Sequence, residues 1–223
     1  MAKAPLRGAV KTRLVPPLTP EQAADLCRAL LSDQLDHLSN LAGAERYLAY
    51  EPADAEEMMR ELGGDDYRYL AQRGGDLGAR MNQVFGDLWQ RGHRSIVLIG
   101  GDLPALPIDI LDQAFAELGC AGRKVVLGPS RDGGYYLVGM NQATPELFMN
   151  MTWSHDRVLA ETRSRLEALS VPWVSLPSWF DIDTIEDLRH LQEQCAQVMR
   201  QSMPRTQACL EQLRCSGCLK LGT

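Results

Sequence analysis

The stretch that most constrains the fold is SIVLIGGDLPAL, Ser95–Leu106. Ser95 to Ile99 is a short, β-rich and almost wholly apolar run. It halts at Gly100-Gly101-Asp102, and Pro104 and Pro107 block any further extension. A continuous apolar run of this kind marks a strand buried in a parallel sheet. In open α/β sheets, ligands sit just beyond the carboxyl ends of such strands. Asp102 is therefore a carboxylate where this class of sheet does its chemistry, with two glycines beside it that leave room for a ligand. The same residue could shape a turn or cap the helix expected after Pro107, and the stretch alone leaves both readings open.

Strand and helix signals alternate along the chain, which implies an α/β fold with three α/β/α layers around a mostly parallel sheet. Strands are expected near 46–50, 67–71, 95–99, 124–128, 135–139 and 173–176. The strongest helix start is Thr19-Pro20-Glu21-Gln22, where Thr19 is the N-cap, Pro20 occupies N1 and Gln22 completes a capping box. A second comes at Thr184, with Asp187 three residues on, in a helix expected to run through Leu188, Leu191, Cys195 and Val198. Almost nothing precedes Lys3, so the opening strand is expected to be very short, or the true start to lie upstream. We read residues 1–203 as one domain and 204–223 as a cysteine-containing tail. Cys209, Cys215 and Cys218 offer three sulfurs where zinc or iron–sulfur sites normally need four. The tail is thus expected to be an accessory helix with a frayed end.

With 223 residues, 45% of them apolar, the chain can bury a substantial core. A formal net charge of −6 argues against a nucleic-acid partner, although a few local cations suffice for a phosphate. No apolar run approaches the ~20 residues of a membrane span, and MAKAPLRG lacks the apolar centre of a signal peptide. The six cysteines lie mostly in helical segments, so the expected location is the cytoplasm, with reduced thiols.

The candidate site residues gather at strand ends. Lys3, Arg7, Lys11 and Arg13 place four cations in a loop broken by Pro5 and Gly8, a composition suited to a di- or triphosphate but lacking P-loop spacing. A solvated basic arm is the alternative. Arg80 falls in the first turn of a helix, where a cation opposes the helix dipole unless it meets an anion. Asp132-Gly133-Gly134 could bring backbone and a carboxylate to a ligand, or form a plain hairpin turn. Trp153 could stack on a sugar or base, and His155 could act as acid or base. Such a Trp is more often core, and such a His more often begins the following helix. Asp181 and Asp183 fall on one side of an extended segment, and paired carboxylates at a strand's close suit a hard divalent ion, Mg²⁺ or Mn²⁺.

The segments AKAPLRGAVKTRL (2–14), GGDLGARM (74–81), LIGGDLPAL (98–106), VVLGPSRDGGYYLVG (125–139), MTWSH (151–155) and FDIDTIEDL (180–188) together resemble a family of small GT-A-fold, nucleotide-diphospho-sugar transferase-like proteins. Some of its members are labelled glycosyltransferases of arsenosugar biosynthesis. The resemblance spans residues 2–188 and implies a GT-A fold. It gives Asp102 the place of the metal-binding aspartate of a D-x-D site; the strand-end position of Asp183 makes that residue, on the reading of the residues themselves, the candidate for a second metal ligand. The resemblance puts Lys3, Gly8, Lys11 and Arg13 on the nucleotide's phosphates and Asp132, Gly133 and Gly134 at the donor sugar or acceptor. Residue 101 is Gly, and residue 155 is His, where this family usually has Thr. The implied activity is a metal-dependent glycosyltransferase taking a nucleotide sugar and a small-molecule acceptor, with Asp102 and Asp132 as catalytic residues. The same parts also resemble nucleotidyltransferases of guanylyl or cytidylyl type, which release pyrophosphate. A non-catalytic sugar-nucleotide-binding paralogue is the third reading.

Overall fold

The structure, a computed structural model, describes residues 1–194, 202–215 and 217. In chain order its elements are β1 (Ala2–Lys3), α1 (Pro20–Leu38), β2 (Tyr47–Glu51), α2 (Glu56–Gly63), β3 (Arg68–Ala71), α3 (Leu77–Gln90) and β4 (Ile96–Ile99). There follow α4 (Ile108–Leu118), β5 (Val125–Pro129), β6 (Tyr135–Met140), α5 (Val158–Ala168), β7 (Trp173–Ser175), α6 (Ile185–Gln194) and α7 (Pro204–Cys215). The expected alternation of strand and helix is present. Cys195, Val198 and Cys218 lie outside the described residues. The chain divides into two compact units: residues 1–71, 101–106 and 181–223, and residues 72–100 and 107–180.

The first unit holds a parallel sheet in the order β1-β2-β3, with Ala2 opposite Tyr50 and Leu48 opposite Tyr69. β1 is two residues long. α1 begins as its sequence requires. Thr19 Oγ1 accepts from the Gln22 N–H at 3.3 Å, while Gln22 Oε1 accepts from the Thr19 N–H at 2.9 Å. Leu31 and Leu35 of α1 pack with Ala2, Leu48, Tyr50, Met59 and Tyr67 in the core of this unit. The Tyr67 hydroxyl is satisfied by donating to the Leu35 carbonyl at 2.7 Å. On α1 the buried Asp33 accepts from the backbone N–H groups of Arg205 (3.2 Å) and Thr206 (2.7 Å), and the Arg205 guanidinium approaches it at 3.4 Å. An acid at a helix N-terminus satisfies orphan donors and favours the dipole, so Asp33 docks α7 onto α1.

The second unit holds a mixed sheet in the order β4-β6-β5-β7. β5 runs parallel to β7, whereas β6 is antiparallel to both β4 and β5. The connection between β5 and β6 is too short for a parallel crossover, which needs a dozen or more residues. The turn closes with the Ser130 N–H on the Gly134 carbonyl at 3.0 Å. Val125, Leu127, Leu137 and Met140 are fully enclosed. Trp89 and Phe148 each stack on Phe85, with ring centroids 5.3 and 5.8 Å apart, and Trp153 lies tilted against Phe148 at 6.4 Å. No helix among the described residues is long and apolar enough to cross a membrane.

Candidate metal and phosphate site

Three acids of the first unit converge. Asp102, Asp181 and Asp183 each offer a carboxylate oxygen, and these oxygens all lie within 4.8 Å of one another. The DID segment achieves this by period two: Ile182 is fully buried, and the acids on either side are half-exposed. The Ile182 N–H also donates to the Asp102 carbonyl at 3.3 Å, which ties the two segments together. Asp187 fixes the other side of Asp183. Its Oδ2 accepts from the Asp183 N–H (3.0 Å), the Thr184 N–H (2.7 Å) and the Thr184 hydroxyl (2.8 Å). The Asp187 N–H in turn donates to Thr184 Oγ1 at 3.3 Å, the capping pattern its sequence position implies.

Lys11 projects into this cluster. Its Nζ lies 2.8 Å from Asp102 Oδ2 and 3.2 Å from Asp183 Oδ1, and its side chain is only 4% exposed. The loop around it is no solvated arm. Val10 and Leu14 are buried on either side, Val10 against Ala24 and Cys27. Between them Lys11 adopts left-handed backbone (φ 48°, ψ 36°) and caps a short 3-10 turn over Thr12–Leu14. Burial alone would lower the Lys11 pKa, but the Asp102 and Asp183 carboxylates outweigh it, and the net shift is upward. Arg13 stays 69% exposed, with Nη1 3.6 Å from Asp183 Oδ2. Nearby Cys27 has its thiol pushed up to about 11, chiefly by burial.

The sequence-derived candidates fare differently. Lys11, Arg13, Asp102 and Asp183 come together, and Asp181 joins them as a third carboxylate. Lys3 pairs with Glu51 at 3.7 Å, and Gly8 serves a loop turn at φ +75°. Gly101 opens no space on the side where a Cβ would stand, contrary to the expectation from sequence. A Cβ there would stand 2.7 Å from the Ala2 Cβ and 3.1 Å from the Ala2 Cα, so the space is taken by β1.

The remaining candidates belong to the second unit. Arg80 turns back to donate from Nε to the Gly74 carbonyl at 3.3 Å. Asp132 Oδ1 accepts from the Gly134 N–H at 2.9 Å, closing a hairpin turn on itself. Gly133 has φ +87°, and a Cβ there would fall 2.0 Å from the Asp156 carbonyl oxygen. The glycine admits the start of α5, whose Leu159 N–H donates to the Gly133 carbonyl at 2.9 Å. Trp153 packs edge-on against Gly78, where a Cβ would lie 2.6 Å from its ring, and its Nε1 is buried. His155 holds the turn before α5. Its Nδ1 accepts from the Arg157 N–H at 3.2 Å, so Nε2, 2.9 Å from the Thr152 carbonyl, carries the proton.

The protein has an α/β fold of nucleotide-diphospho-sugar transferase, or GT-A, type. The chain belongs to the DUF2064 family, described as an uncharacterized protein conserved in bacteria, whose model matches residues 34–155. It is similar to a solved structure from Desulfovibrio desulfuricans described as a "putative nucleotide-diphospho-sugar transferase", at 31% identity and TM-score 0.85 over 96% of this chain and 92% of that one. Two more distant structures share the fold. A cytidylyltransferase from Leptospira borgpetersenii matches at 16% identity and TM-score 0.60, over 100% of this chain and 95% of that one. A 4-diphosphocytidyl-2C-methyl-D-erythritol synthase from Anaerococcus prevotii matches at 12% and 0.54, over 84% and 90%. A search among curated proteins gives no match.

Proposed function

We propose that this protein is a metal-dependent glycosyltransferase that takes a nucleotide-diphospho-sugar and passes the sugar to a small-molecule acceptor. One observation carries the reading: the carboxylates of Asp102, Asp181 and Asp183 within 4.8 Å of one another, with Lys11 buried against two of them. The donor set fits a divalent ion of the Mg²⁺ or Mn²⁺ kind, because it is built only of hard carboxylate oxygens, the ligands such ions take alongside substrate phosphates. Asp102, Asp181 and Asp183 would hold the ion, which when bound would neutralise charge developing on the leaving diphosphate. Lys11, beside Asp102 and Asp183, and Arg13, beside Asp183, supply charge-assisted donors for phosphate oxygens. Similarity to the Desulfovibrio structure supports a nucleotide sugar as the donor.

Glycosyl transfer breaks the bond between the sugar C1 and the diphosphate oxygen, forms one from C1 to the acceptor, and releases a nucleoside diphosphate. Nucleotidyl transfer attacks the α-phosphorus of a nucleoside triphosphate and releases pyrophosphate. The test is a thermal-shift panel of Mn²⁺ with nucleoside diphosphates, nucleotide sugars and nucleoside triphosphates, followed by identification of the released group. Stabilisation by Mn²⁺ with a nucleotide sugar, and release of nucleoside diphosphate, is the expected result. Stabilisation by a triphosphate alone, with pyrophosphate released, would overturn it in favour of nucleotidyl transfer.

A further inference from the structure

Lys11 raises a question that a phosphate-binding role leaves unanswered. Its ammonium is already committed to Asp102 at 2.8 Å and Asp183 at 3.2 Å, two of the three carboxylates a divalent ion would need. It is also far less exposed than its partners, at 4% against 34% and 40%. A buried charge that loses its partners is strongly disfavoured unless another counter-charge replaces them. Nor can Lys11 readily swing out to water, because Val10 and Leu14 anchor the chain on both sides of it and its side chain is enclosed.

We propose that Lys11 is a resident counter-cation of Asp102 and Asp183, and that a divalent ion gains full use of these two acids only by displacing its ammonium. The inference rests on the metal reading above. Without an ion, Lys11 offsets the repulsion between Asp102 and Asp183. When an ion enters, Lys11 is left beside a dication and needs a new anion, which the diphosphate of the donor supplies. Free metal therefore binds weakly, and metal and diphosphate are taken up together.

Mn²⁺ binding to the full chain, followed by electron paramagnetic resonance, tests this in the wild type, Lys11→Met and Lys11→Gln, with Arg7→Gln as a control. Arg7 lies in the same loop but pairs with Glu21 at the surface, at 2.7 Å. Both Lys11 variants should bind Mn²⁺ about tenfold or more tighter than the wild type, and Arg7→Gln should match the wild type. Folded Lys11 variants that bind Mn²⁺ no tighter than the wild type would overturn the proposal while leaving the metal reading standing. Absence of Mn²⁺ binding in every form would overturn both. If the Lys11 variants do not fold, the side-chain ¹⁵N resonance of Lys11 in the wild type decides. It should shift on addition of Mg²⁺, and an unchanged resonance at saturating Mg²⁺ refutes displacement.

Discussion

Replacing Asp187 with Ala tests how the acid cluster is held in place. The Asp187 Oδ2 atom accepts three hydrogen bonds, from the Asp183 N–H, the Thr184 N–H and the Thr184 hydroxyl, at 2.7–3.0 Å. Truncation strands all three donors at once. A lost helix cap costs about 1 kcal/mol, and a hydrogen bond to a charged acceptor is worth about 1.5–3 kcal/mol. The donors are only partly buried and water recovers some of this, so the net loss should be about 2 kcal/mol. For a chain of this size that corresponds to a fall of about 4–8 °C in melting temperature. Asp183 also loses the anchor on its backbone, so Mn²⁺ affinity should fall about tenfold, because a ligand must be held in place to bind well. Asp187→Asn keeps an oxygen acceptor and should lie between. Thermal melting by circular dichroism and an Mn²⁺ titration on the same samples measure both effects. An Asp187→Ala protein that melts within about 1 °C of the wild type and keeps its Mn²⁺ affinity would refute the reasoning.

Gly133→Ala should be severely destabilising, by about 3 kcal/mol or more, because the new Cβ would fall 2.0 Å from a backbone carbonyl in a positive-φ conformation; a melting curve measures it. Gly101→Thr should lower the melting temperature by about 2–12 °C, since its Cβ meets Ala2 and overpacking costs about 1–3 kcal/mol. Stability should fall on the alkaline side. Burial raises the Cys27 thiol from 9.0 to about 11 and the Tyr136 phenol from 10.0 to about 12. Between those values the folded chain keeps protons that the unfolded chain has lost, so unfolding becomes easier as pH rises, with the full stability present only below about pH 9. Urea midpoints across pH 8–11 measure the fall, and Cys27→Ala should flatten its lower part.

Much of the site was legible because its determinants are local. The spacing Asp181-Ile182-Asp183 alone puts two carboxylates on one side, and the capping pattern at Thr184 and Asp187 follows from four residues. The apolar run ending at Gly100 located Asp102. What escaped depends on contacts across long sequence separations. Asp33 meets Arg205 from 172 positions away, and no local signal on either side announces it. Glycine was ambiguous for a related reason. A missing Cβ invites close approach by anything, and at Gly101 and Gly133 the visitor is the chain itself, Ala2 in one case and Asp156 in the other. The loop composition marked Lys11 as a cation awaiting an anion, but the anions it meets lie 91 and 172 residues further on.

The central claim, that Asp102, Asp181 and Asp183 form a divalent-ion site, is tested most directly by anomalous diffraction at the manganese edge, from crystals grown with Mn²⁺ and a nucleoside diphosphate. An anomalous peak bonded to carboxylate oxygens of these three residues is expected, with the Lys11 ammonium moved from Asp102 and Asp183 onto the diphosphate. A manganese peak at other residues, or ordered diphosphate with no manganese between it and these acids, would contradict it.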